Sequence, residues 1–198
     1  MFQFGVLALT FGLIFLAELP DKSAIATLIL GTRFPWRWIF VGVSAAFAVH
    51  MAIAVFAGSL LTLLPGRVVE GVVALLFLLG AFLVWREGLE KRDDENVDTS
   101  SVPTSAGFLR VAGLGFGTIF VGEWGDLTQI LAANLAAQHH APWEVGIGAT
   151  LALMAVALVA LLGGRTLLKY LPIKWITRVA AAIMLVLGAI SAVAAIRG

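Results

Sequence analysis

FGLIFLAELPDKSAI, residues 11–25, returns as FGTIFVGEWGDLTQI, residues 116–130, and both copies lie within apolar surroundings. At a constant offset of 105 positions, Phe11, Gly12, Ile14, Phe15, Glu18, Asp21 and Ile25 recur as Phe116, Gly117, Ile119, Phe120, Glu123, Asp126 and Ile130. Four carboxylates therefore stand among Leu, Ile, Ala, Phe and Gly. One charged side chain at the centre of a bilayer helix costs roughly 2.5–3.5 kcal/mol on insertion scales. Four would cost on the order of 10 kcal/mol unless protonated, paired or bound to a cation. A chain that carries this burden twice is expected to use it.

The rest of the chain reads as lipid-embedded. Of 198 residues, 61% are hydrophobic and 13% charged, and mean hydropathy is +1.01, beyond the range of ordinary soluble domains. There is no cysteine, which excludes disulfides and thiolate metal sites. Six apolar segments follow one another, at about 3–30, 38–64, 68–86, 108–136, 143–168 and 174–196. Each is long enough for a span of roughly 20 residues. Trp36, Trp38, Trp143 and Trp175 stand at segment edges, where amphipathic rings favour the headgroup level. The N-terminal segment has no basic n-region and no cleavage-like site, so it reads as the first span rather than a signal peptide.

Residues 87–107 form the one long polar stretch, including Asp93, Asp94, Glu95 and Asp98. This is the composition of a solvated linker, and it separates a first half (1–86) from a second (108–198). Ten basic residues (Arg33, Arg37, Arg86, Lys91, Arg92, Arg110, Arg165, Lys169, Lys174 and Arg178) flank loops one, three and five, against Arg67 and Arg197 elsewhere outside the spans. The positive-inside rule places those loops in the cytoplasm and both termini outside. Each half then holds three spans, an odd number, so the second enters the membrane in the opposite sense to the first. The expected fold is an all-α integral membrane protein of six transmembrane helices, built as two inverted three-helix repeats with a site near mid-membrane between them.

Within each motif, positions three apart share a helix face, which brings Glu18 beside Asp21 and strings Glu123, Asp126 and Gln129 along one side. Two such faces meeting about a pseudo-twofold axis would supply the six or so oxygen ligands that hard divalent cations take. Pro20 and Gly125 occupy equivalent places, where proline frees a carbonyl and glycine tolerates unwinding. Ser23 and Thr128 lie five residues past the glutamates, and join the site only if the helix distorts. Lys22 lies four residues past Glu18 and can pair with it; its counterpart is Leu127. With all groups ionised the formal charge is −3, and metal binding then competes with protonation. Against this stands a purely structural reading, in which the acids hold helices together through Lys22, Gln129 and Asn134. His50 can relay protons, although its counterpart is Ala155 and a hydrogen-bonded core histidine is the commoner role. His139-His140 reads as an exposed turn. There is no nucleophile–base constellation and no nucleotide fingerprint, so neither an enzyme nor a nucleic-acid partner is expected.

The paired blocks, ELPDKS at residues 18–23 and EWGDLT at 123–128, resemble the duplicated Glu-x-Gly-Asp-(Lys/Arg)-(Ser/Thr) motif of the transmembrane protein 165 / GDT family. The resemblance covers essentially the whole chain and implies a Ca²⁺/Mn²⁺–proton exchanger without a prosthetic group. It further implies that Glu18, Asp21, Glu123 and Asp126 bind the transported cation, with Ser23, Thr128 and Gln129 in support and Glu18 and Glu123 coupled to protons. The small size and short loops are similar to bacterial members, which implies Mn²⁺ export across the cell membrane. Pro20 and Leu127 depart from the motif without touching the acids. Two other functions fit an apolar six-span chain: export of small organic solutes such as amino acids, and a non-transporting scaffold. Gly- and Ala-rich faces also permit a homo-oligomer.

Overall fold

A computed structural model describes residues 2–19, 22–61 and 106–170 continuously, with scattered positions at 63–82, at 103 and at 182–196; the side chains of Lys22, Leu61, Leu127 and 164–170 are not described. Among the described residues every regular element is an α-helix: α1 (Phe4–Glu18), α2 (Lys22–Arg33), α3 (Trp36–Leu61), α4 (Phe108–Gly122), α5 (Leu127–His139) and α6 (Pro142–Tyr170). The segments expected at 68–86 and 174–196, and the linker, fall largely outside them.

Two helices are long and apolar enough to cross a bilayer alone, within Trp36–Leu60 and Pro142–Gly163. α3, with 26 residues, is about 39 Å long at 1.5 Å per residue, more than the roughly 30 Å of hydrocarbon. The spans expected over 3–30 and 108–136 are each divided in two at the acidic motif, the region where Pro20 and Gly125 invite kinking or unwinding. α1 and α4 have 15 residues each, about 22 Å, too short to span alone. α1 and the helix after it bend by 71° at their break and count as one bent span or a re-entrant pair.

The second break can be followed residue by residue. The Glu123 amide still donates to the Ile119 carbonyl, but Glu123 has left helical geometry at φ −103°, ψ 14°. Gly125 then takes φ +75°, a left-handed conformation that costs a residue with a Cβ roughly 1–2 kcal/mol. Asp126 is extended and caps α5, its carboxylate accepting from the Thr128 amide at 3.1 Å. Aspartate is among the best N-caps because its short side chain reaches an otherwise unpaired amide. At the far end, His140 in the left-handed region closes α5, and Pro142 opens α6, where a missing N–H is harmless.

α3 and α6 form the centre, packed against each other. The shorter helices cross over between halves: α1 and α2 rest on α6, and α4 and α5 rest on α3. Two close backbone crossings repeat this exchange. A Cβ added at Gly42 in α3 would run into the Ala112 carbonyl oxygen of α4, and one added at Gly148 in α6 would stand 2.7 Å from the Leu7 carbonyl oxygen of α1. Ala112 is Leu7 displaced by the same 105 positions as the motifs. Ile14, Ile39, Val43, Met51, Val111, Ile119, Leu135 and Leu153 fill the core between these helices. Outside, Phe4, Phe56, Leu109, Val121 and Trp143 are exposed, the apolar exterior expected where the solvent is lipid.

Candidate cation site

The buried side of α1 descends through Val6, Thr10 and Ile14 to Glu18, and that of α4 through Val111, Gly115 and Ile119. Glu123 stands four residues further and is also buried. Both series advance in steps of four, so packing that buries the isoleucines carries the glutamates inward too. Each helix also carries a matching ring stack, Phe11 on Phe15 and Phe116 on Phe120.

Glu18 is the meeting point of three helices. Ser23, second residue of α2, donates from Oγ to Glu18 Oε2 at 3.0 Å. Thr128 of α5 donates from Oγ1 to Oε1 of the same carboxylate. Ser23 and Thr128 are themselves almost wholly buried. These two hydroxyls hold equivalent places in the two copies of the motif, 105 positions apart. In straight helices they would turn away; the breaks bring them round. A hydroxyl that donates to a carboxylate keeps its lone pairs for a cation, so the cluster can present oxygen from all three side chains.

The second motif is arranged differently from the first expectation. Glu123, Asp126 and Gln129 do not share a helical face, because the chain between them is a turn that ends at the Asp126 cap. Gln129 instead folds back, its Nε2 donating to the Glu123 carbonyl at 2.6 Å, while the Asp126 amide bonds the same oxygen at 3.3 Å. A helix end leaves carbonyls without intrahelical partners, and these bonds satisfy one of them. His50 of α3 satisfies another: its Nε2 lies 3.1 Å from the Phe120 carbonyl oxygen. A carbonyl only accepts, so Nε2 carries the hydrogen. The ring stacks on Phe120 at 4.9 Å and meets the edge of Trp124 at 5.8 Å.

Asp21 and the Lys22 side chain fall outside the described residues. Among the described residues, no three His, Asp or Glu side chains gather closely enough to hold one metal ion. The structure therefore brings together Glu18, Ser23 and Thr128, with Asp126 joined through the Thr128 amide and Gln129 bound to the backbone of Glu123. Asn134, a candidate for holding helices together, is fully buried yet bonds nothing through either amide atom among the described residues. One buried acid was not singled out by its sequence: Glu144, in the first turn of α6, accepts the Gln3 amide at 3.0 Å and fastens the start of α1 to α6. Its position next to Pro142-Trp143 is the signal for a helix-start acid.

Comparison with known proteins identifies the family of the chain. The family model described as divalent cation/proton antiporter GDT1 matches residues 6–92 and 111–198. The chain is 33% identical over 168 residues to the GDT1-like protein sll0615 of Synechocystis sp. (strain ATCC 27184 / PCC 6803 / Kazusa), covering 77% of this chain and 80% of that relative. It is 24% identical to GDT1-like protein 5 of Oryza sativa subsp. japonica, over 89% of each chain. It is 29% identical to Protein PAM71, chloroplastic, of Arabidopsis thaliana, over 93% of this chain and 55% of that one. No solved structure matches it. With the family model covering both motif-bearing halves, this membrane chain belongs to the GDT1 family of divalent cation/proton antiporters.

Proposed function

We propose that this chain exports Mn²⁺ or Ca²⁺ from the cytoplasm in exchange for external protons, across the cell membrane and with both termini outside. The transported ion binds among Glu18, Asp21, Glu123 and Asp126, with Ser23, Thr128 and Gln129 in support and Lys22 as a charge partner of the first motif. Glu18 and Glu123 take up the protons. The cargo is the only ligand, and no prosthetic group takes part.

One observation carries this reading: hydroxyls from both motifs converge on the two oxygens of Glu18. An all-oxygen, carboxylate-centred set suits hard divalent cations. A carboxylate must shed its proton to ligate a metal, which makes the two cargoes compete for one place. The exchange of packing partners, α1 and α2 on α6 against α4 and α5 on α3, supports two inverted repeats that move against each other. Broken helices at the site favour this mechanism, since irregular backbone at membrane depth persists where it lines an ion site.

The test is metal-driven proton movement in proteoliposomes. Glu18→Gln and Asp126→Asn should each abolish it while the protein still folds. Wild-type flux in both variants would dismiss the assignment.

A further inference from the structure

Four side chains have buried polar atoms with no hydrogen-bond partner among the described residues: Thr10 of α1, Thr27 of α2 and Asn134 of α5, all fully buried, and Ser44 of α3, which is half-buried. A buried hydroxyl or amide left unpaired costs about 1–3 kcal/mol, and mid-helix threonines ordinarily relieve this by bonding the carbonyl four residues back. Thr32 does something similar, donating to the Ile29 carbonyl at 2.7 Å. Thr10 and Thr27 do not, so their hydroxyls stay available to a ligand.

Three of them lie on the helices that meet at Glu18, whereas Ser44 lies on α3, which gives Glu18 neither of these hydroxyls. Thr10 is on the buried side of α1, eight residues before Glu18, about 12 Å along the helix. Thr27 follows Ser23, the donor to Glu18, by four residues on α2, one turn or about 6 Å on. Asn134 follows Thr128, the second donor to Glu18, by six residues on α5, about 9 Å. Each helix that contributes to the Glu18 cluster thus carries one unsatisfied oxygen further along. Between Thr10 and Glu18 lies Ile14, fully buried, an apolar plug on that leg.

We propose that Thr10, Thr27 and Asn134 are transient oxygen ligands for the divalent cation on its way to and from the Glu18 cluster. In this scheme Ile14, fully buried between Thr10 and Glu18, shuts the α1 leg. When a leg opens, its hydroxyl or amide oxygen replaces part of the ion's hydration shell before the carboxylates receive it. Thr27 serves the leg through α2, and Thr10 and Asn134 serve the legs through α1 and α5. This inference rests on the transport reading above.

The test uses the full chain in proteoliposomes with Mn²⁺ alone, measuring Mn²⁺–Mn²⁺ counterflow at equal pH on both sides, so that no net proton movement is required. Thr10→Val, Thr27→Val and Asn134→Leu keep shape and remove the oxygen. Each should slow counterflow about three- to tenfold, the kinetic equivalent of one lost contact of hydrogen-bond size. Melting temperature should hold or rise, because an unsatisfied polar group has been removed. Thr10→Ser and Thr27→Ser should restore the rate, and Thr32→Val should leave it alone. Wild-type counterflow in all three variants, with Glu18→Gln inactive, overturns this inference and leaves the antiporter intact. A lowered melting temperature with no rescue by serine overturns it too. Counterflow that survives Glu18→Gln would instead sink the site itself.

Discussion

Glu18 receives one hydroxyl from its own motif and one from the copy more than a hundred residues away. Hydrogen bonds to a charged group contribute about 1.5–3 kcal/mol each, so this small cluster is a substantial tie between α1, α2 and α5. Ser23→Ala and Thr128→Val should each lower stability by about that amount when unfolding is followed in detergent. The double variant should lose more than either, since it strips both donors from a buried acid. His50 acts on the second motif through the Phe120 carbonyl, a role with no counterpart at the first motif, because the equivalent position in the second half is Ala155. The acids themselves were legible from their sequence because a charge among apolar residues stands out. Ser23 and Thr128, the donors to Glu18, were legible only conditionally: five residues past a glutamate, a straight helix turns a side chain to another face, and only the break reverses that.

At the level of helices, the two breaks shape the site. Gly125 permits the second one, and Gly125→Ala should cost about 1–2 kcal/mol from the left-handed backbone alone, read as a shift in thermal unfolding. A Cβ there meets nothing within 4 Å, so any larger loss would point to the conformation rather than to crowding. The hydropathy of 3–30 and 108–136 announced membrane segments but hid their division, since a break of a few residues barely alters an average over twenty. Pro20 and Gly125 marked the places. What they could not convey was that Asp126 would leave the helix to cap the next one, which undid the shared face expected for Glu123, Asp126 and Gln129.

For the molecule as a whole, the proposed exchange makes metal and proton rivals, and stability should report their contest. A ligand of the folded state adds RT ln(1 + [L]/Kd), about 2.7 kcal/mol at a hundredfold excess over Kd. Mn²⁺ and Ca²⁺ should therefore raise the melting temperature of the purified protein, and amino acids should not. The sign with pH follows from the chemistry: acid protonates the carboxylates and weakens metal binding, so the stabilisation should be larger at pH 8 than at pH 6. An equal shift at both values would contradict proton competition. Because α1 and α2 lean on α6 while α4 and α5 lean on α3, neither half of the polypeptide owns a complete set of neighbours. The peptide link between them is then dispensable for cohesion: two fragments divided within residues 87–107 and made together should co-purify, whereas either one made alone should be degraded. A gene cut in two at that point would still encode a single working object.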